Sequence, residues 1–255
     1  MELSAQLIVF GKDLMTNLEG NLSIVREAGF HAVEGGPMLL DARPAAELRK
    51  VLAGAGLRLS AIHCDTGTVD SISDFINLCT RVAELGCTDV ICSGVIEGGD
   101  TRRHYERTGE VVDRGARTAA DKGVRLSYHH HDWELARILG KHRGIEVLME
   151  RAGPQAGFVI DTYWSLAGGR DWRWLWERYG TRCWTIHLKD GLPGRHRFSA
   201  LGEGSARVAE AFHYFEDKGL RYVTWEQDLA RDTTIEDAVT ISGRWLTERV
   251  KPDAT

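Results

Sequence analysis

The sequence predicts a single (β/α)8 barrel. Three observations carry that prediction: eight short apolar runs recur along the 255 residues, amphipathic stretches ending in glycine separate them, and no Pro- or Gly-rich linker divides the chain. Alternating strand and helix units call for a parallel sheet, and eight such units in roughly 250 residues close it into a barrel. Residues 1–255 therefore read as one domain. An open doubly wound sheet is the alternative. Against it, "VFGKDLMTNLEG" comes after the first strand in place of a GxGxxG, and "GGDTRRH" lacks the glycine spacing and lysine of a phosphate loop.

The apolar runs, in chain order, are "QLIVFG" around Leu7, "HAVEGG" at Val33, "LRLSAIH" at Leu59, "DVICSG" at Ile91, "VRLSYHH" at Leu126, "GFVID" at Val159, "CWTIHL" at Thr185 and "RYVTWE" at Val223. Apolar residues on both faces fit strands covered on both sides. "NLSIVREAGF" places Leu22, Val25 and Ala28 at helical spacing. "AAELRKVLAGAGL" does the same and stops at Gly54 and Gly56. "SDFINLCTRVAELG" and "ARVAEAFHYFEDKG" stop at Gly86 and Gly219. In "RDWRWLWERYG", Trp172 and Trp176 share a helix face, which reads first as packing and second as a homo-oligomer interface.

Composition excludes several classes. Hydrophobic residues make up 43% and charged residues 27%, and the net charge of -5 is spread along the chain. No basic stripe faces a phosphate backbone, so nucleic acid is not an expected partner. No run of about 18 apolar residues predicts a membrane span, and the start does not read as a signal peptide. Cys64, Cys79, Cys87, Cys92 and Cys183 contain no CxxC pair. They read as free thiols of a reducing, cytoplasmic protein, not as a thiolate zinc site.

In a barrel, the C-terminal strand ends build the active site. Glu34 lies on strand two and His63 ends strand three. His129 and His131 end strand five, Asp161 strand six, His187 strand seven and Glu226 strand eight. One polar residue ending an apolar strand is more often a hydrogen-bonded structural residue than a ligand. Three on consecutive strands, with a fourth candidate on strand five, point the other way. A His/Asp/Glu set without thiolate suits one divalent ion, Mn, Co, Mg or Zn, able to polarise a carbonyl and chelate neighbouring hydroxyls.

Five motifs in this order, "SYHHHDWEL", "FVIDTYWSLAGG", "WTIHLKDG", "ALGEG" and "VTWEQD", resemble the sugar phosphate isomerase/epimerase family of the xylose isomerase-like TIM-barrel superfamily. The match is closest to the branch whose fifth strand reads Tyr-His-Asn-His-Asp-Phe-Glu. It runs from Val124 to Asp228, and "AGFHAVEGG" and "LRLSAIHCD" fit more loosely. The resemblance implies one divalent ion held by strands five to eight, with Asp161, His187 and Glu226 as ligands. The strand-five ligand position falls on His129, where relatives carry a glutamate. In epimerases of the superfamily, the strand-five and strand-eight glutamates pass a proton across an enediolate. Here either a histidine is the ligand and the shuttle differs, or Glu134 reaches back into the mouth. Period two puts His129 and His131 on one strand face and Tyr128 and His130 on the other. His129 is the preferred ligand, His131 lines the substrate side, and His130 packs.

Lys189 shares a face with His187. It either steadies an enolate oxygen or donates a proton, or it pairs with Asp190 or Glu226. Trp164 stands where some relatives carry a substrate-binding histidine, and suits a pocket wall or a core position. His63 and Glu34 either bind substrate hydroxyls or bond each other. Glu203 lies in a turn that closes over substrate or serves only the turn.

The resemblance thus implies a metal-dependent isomerase or epimerase of a keto-sugar, keto-polyol or other polyhydroxy carbonyl small molecule, with Glu226, His129, Lys189 and Glu134 as catalytic candidates. A lyase of the inosose dehydratase type, whose strand-five motif "YHHH" resembles, is the alternative. A catalytically inactive polyol-binding barrel is the third reading. No phosphate clamp is evident.

Overall fold

A computed structural model describes residues 1–41 and 43–250. Eight parallel strands close a barrel: β1 (Glu2–Gln6), β2 (Ala32–Gly35), β3 (Arg58–Asp65), β4 (Asp89–Ser93), β5 (Arg125–His129), β6 (Gly157–Asp161), β7 (Thr185–Leu188) and β8 (Tyr222–Trp225). Each strand pairs with its sequence neighbours, and β8 closes onto β1 with Ser4 opposite Thr224. The outer layer comprises α1 (Leu18–Glu27), α2 (Ala45–Gly54), α3 (Ile72–Glu84), α4 (Arg102–Ala120), α5 (Gly144–Arg151), α6 (Trp172–Tyr179), α7 (Val208–Phe215) and α8 (Ile235–Thr247).

Glycine stops act as expected after α3 and α7. Gly86 and Gly219 hold φ of 76° and 74°, a conformation costly for any residue bearing a Cβ. Gly54 lies inside α2, and Gly56 is the left-handed stop. The Trp-rich stretch is a helix capped by Asp171, with Trp172 and Leu175 fully buried.

The first strand differs from its predicted position. It is Glu2–Gln6, whereas Leu7–Leu14, which takes in most of "QLIVFG", forms 3-10 turns kinked at Gly11. Leu7, Phe10 and Leu14 are spaced for a helix face as well as for a buried strand, and a short apolar run does not separate the two. The Gln6 side chain settles it by accepting the Ile8 amide at 2.6 Å.

Small and branched residues fill the barrel interior: Ala32, Ala61, Ile91 and Val159, closed at one end by Trp184 and Tyr222. Polar interior groups bond each other, Ser4 to Ser60 at 2.8 Å and the Trp184 indole N–H to Ser127 at 2.8 Å. Register aligns the functional strand ends. Asp161 pairs with His187, His187 with Thr224, and Ser93 with His129. All five cysteines are free, and no helix among the described residues is long and apolar enough to cross a membrane.

Ile91 is fully buried in this interior. Ile91→Ala is therefore expected to cost roughly 2–5 kcal/mol in chemical denaturation, with the strand ends above it left in place.

Candidate metal centre

Four side chains from four consecutive strands meet at the mouth: His129, Asp161, His187 and Glu226. Each offers one atom, and the four atoms lie within 4.8 Å of one another. Divalent ions bind nitrogen and oxygen ligands at about 2.0–2.2 Å, so donor atoms around one ion lie roughly 3–4 Å apart. His129 Nε2 is 3.5 Å from Asp161 Oδ2 and 3.8 Å from Glu226 Oε2, and His187 Nδ1 is 2.6 Å from Glu226 Oε2. Both ring nitrogens of His129, and Asp161 Oδ2, are buried without a hydrogen-bond partner. Buried polar atoms are normally satisfied, and His129 Nε2 and Asp161 Oδ2, 3.5 Å apart, fit a group held between them.

The local folding explains the aim of each. Asp161 ends β6 and caps the helix Thr162–Ala167: Oδ1 accepts the Trp164 amide at 2.7 Å, which leaves Oδ2 facing the cluster. His130, just past the end of β5, accepts the Asp161 amide on Nε2 at 3.2 Å and donates from Nδ1 to the His131 carbonyl at 3.1 Å. It thus ties β5 to β6 behind the site. Burial pulls its imidazole down to about 4, so it stays neutral.

The electrostatics are strongly coupled. Burial opposes charge on His187, but Glu34 and Glu226 outweigh it and push the imidazole up to about 10. Burial raises the Asp161 carboxyl, whereas Glu226 is held well below the usual carboxylate range by Lys189 and His187 against its own burial. Burial keeps His129 well below its ordinary value, and the neighbouring His187 adds to this.

Lys189 is fully buried, with Nζ 2.8 Å from Asp228, 3.3 Å from Glu226 Oε1 and 3.5 Å from Asp161 Oδ2. Three carboxylates overcome the desolvation of the ammonium and raise it further. Glu226 is the ion-pair partner expected for Lys189, but Asp190 is not. The Asp190 carboxylate accepts the amides of Gly191, Gly202, Gly204 and Ala206 at 2.8–3.1 Å, and so binds the hairpin after β7 to the turn containing Glu203. Glu203 itself is exposed.

The remaining candidates separate. His63 and Glu34 do bond each other at 3.0 Å, and Glu34 also reaches His187 Nε2 at 3.0 Å. Those two imidazoles outweigh burial and bring the Glu34 carboxyl down to about 2. His63 and His131 line a cavity of about 430 Å³, together with Ser93, Leu7, Glu226 and Asp228. Trp164 stands behind this surface, 6% exposed, with the Lys189 ammonium 4.8 Å above its ring. Glu134 does not reach the cluster. Its oxygens accept the Tyr128 hydroxyl at 2.7 Å and the His131 amide at 2.8 Å, a helix-capping role on the Tyr128 side of β5, and burial raises its carboxyl to about 7.

Sequence reasoning passed over Ser93, Asp228 and the tie made by His130. The spacing of two that linked Lys189 to His187 also links Asp228 to Glu226. Ser93 and His130 carried no such signal.

The chain belongs to the xylose isomerase-like TIM barrel family, which matches residues 22–248. No curated protein matches it. Among solved structures, a sugar phosphate isomerase/epimerase from Parabacteroides distasonis is similar, with TM-score 0.82 and 19% identity over 97% of this chain and 93% of that one. The IolI protein with a bound zinc atom aligns with TM-score 0.76 and 15% identity over 97% of both chains. D-allulose 3-epimerase from Methylomonas sp. aligns with TM-score 0.74 and 18% identity over 98% of both chains. At these identities the likeness carries the fold.

Three outcomes are expected. His187 carries a proton that an ion must displace, so affinity for Zn or Mn should rise as pH rises towards about 10, with proton release on binding, measured by calorimetry in buffers of different ionisation enthalpy. Asp161→Ala and His129→Ala should each lose the bound ion, measured by elemental analysis, while circular dichroism stays that of the folded barrel. Glu134→Gln should instead retain the ion and destabilise the fold by about 1–3 kcal/mol, since it leaves buried donors poorly matched.

Proposed function

We propose that this protein is a divalent-metal-dependent isomerase or epimerase of a keto-sugar, keto-polyol or related polyhydroxy carbonyl compound. The observation that carries this reading is the buried His129, Asp161, His187 and Glu226 cluster at the mouth, with the Lys189 ammonium against the free oxygen of Glu226. His129, Asp161, His187 and Glu226 would hold the ion, and the ion would supply Lewis-acid polarisation of a carbonyl and an adjacent hydroxyl.

The chain's own groups divide the remaining work. Glu226 directs Oε2 towards His187 and His129, and Oε1 lies on the Lys189 side. In this reading Oε1 takes the proton from the hydroxyl-bearing carbon next to the carbonyl, and carbon regains a proton from the same carboxyl or from solvent. Lys189 stays charged and steadies the oxygen on which negative charge collects. His63, Ser93 and His131 line the cavity and would orient hydroxyls, while Leu7 adds an apolar part of the lining. Trp164 supports Lys189 and His131 from behind.

One observation favours a second reading, a lyase of the dehydratase type. No carboxylate of β5 reaches the cluster, since His129 stands there and Glu134 is engaged elsewhere. Proton passage between two carboxylates is then replaced by one base and one acid, an arrangement that also suffices to expel a β-hydroxyl.

Incubation of the Mn-loaded protein with keto-sugars and keto-polyols in deuterated water separates these readings. Deuterium at carbon in an isomeric product supports the isomerase, and loss of water supports the lyase. Binding without exchange or turnover across the panel rejects both in favour of a binding protein. Glu226→Gln is expected to lower kcat by roughly 10²–10⁴-fold.

A further inference from the structure

We propose that Glu34 is a positioning residue that sets the ring orientation and tautomer of two histidines at once: His187 in the ion site and His63 on the cavity wall. This rests on the cluster being a metal site, and it assigns Glu34 a task other than holding substrate.

Glu34 lies on β2, across the barrel from β7, and is 1% exposed. Its Oε2 is 3.0 Å from His187 Nε2 and its Oε1 is 3.0 Å from His63 Nδ1. An ionised carboxylate only accepts hydrogen bonds, so both of those nitrogens carry hydrogen. With Nε2–H committed to Glu34, the nitrogen of His187 that faces Glu226 and His129 is Nδ1, and Nδ1 is the atom left to hold an ion. With Nδ1–H committed to Glu34, Nε2 of His63 is an acceptor. It takes the Ser93 hydroxyl at 3.0 Å and belongs to a ring that lines the cavity.

A continuous chain results: Ser93, His63, Glu34, His187, Glu226. One carboxylate supports a candidate ligand on one side and a cavity-lining ring on the other. The two rings therefore share one anchor, Glu34. A metal-ligating histidine whose second N–H meets a carboxylate is held in one tautomer, and removing that partner weakens metal affinity roughly 10–100-fold.

The decisive measurement is the histidine ¹⁵N spectrum of the zinc-loaded protein, without substrate. The expected result is His187 with hydrogen on Nε2 and zinc on Nδ1, and His63 with hydrogen on Nδ1. Glu34→Gln offers one acceptor and one donor group where two acceptors are needed. It should weaken zinc roughly 10–100-fold in chelator competition and move the His63 or His187 ring signals to the other tautomer. His63→Asn removes only the cavity-side partner and should raise KM while zinc affinity stays that of the wild type. Glu34→Gln with unchanged zinc affinity and unchanged ring signals overturns the proposal. If that variant does not fold, zinc on His187 Nε2 in the wild-type spectrum overturns it alone. Wild-type protein that binds no divalent ion overturns both this inference and the metal-site reading beneath it. Absence of turnover with every sugar touches neither tautomer and bears only on the proposed reaction.

Discussion

Four carboxylates converge on the mouth of this barrel, and their mutual repulsion is the constraint around which the site is organised. Glu34, Asp161 and Glu226 are nearly or wholly buried, and Asp228 stands beside them. Buried like charges are tolerated only when paired and hydrogen-bonded. The chain answers with Lys189 in contact with three of them and His187 in contact with two. Even so, Asp161 is pushed up by burial, and its Oδ2 has no hydrogen-bond partner. A divalent cation is the chemistry such an excess of negative charge favours.

The supporting contacts serve the same end. Asp161 holds one oxygen on the backbone of the helix directly after it, so only the other remains for the cluster. His130 fixes the amide of that residue from behind. Neither contact touches the cavity, yet both set the direction of a candidate ligand. Mouth geometry is thus determined partly by residues facing the helix layer, where packing density keeps movement small.

Much of this was legible in the sequence, and the reasons are physical. Alternating buried runs and glycine-stopped helices record the barrel, because a parallel sheet must be covered on both faces. Asp161, His187 and Glu226 stood out because each ends an apolar strand. The face assignment of His129 against His130 came from strand periodicity; His129 meets Asp161 and Glu226, whereas His130 accepts the Asp161 amide. Three things were not legible. Leu7–Leu14 satisfies helical and strand spacing alike, so the first strand was displaced. Glu134 lies three residues beyond His131 in a capping position, and the capping pattern competes with a ligand reading at identical residue types. Asp190 and Asp228 each follow a ligand candidate within three residues, but only the fold decides that one meets backbone amides and the other a lysine.

The register of β5 to β8 has a further consequence. Asp161 lies opposite His187, and His187 opposite Thr224, two residues before Glu226. A slip of one residue would turn every ligand to the other face of its strand. An ion held by these four residues would therefore be a clasp across four strands drawn from distant parts of the chain, bound only when all four are paired in register. Such a clasp stabilises by mass action, binding the closed barrel and not the unfolded chain. The same atoms that would carry out the chemistry would also report, through their occupancy, that the barrel has closed correctly.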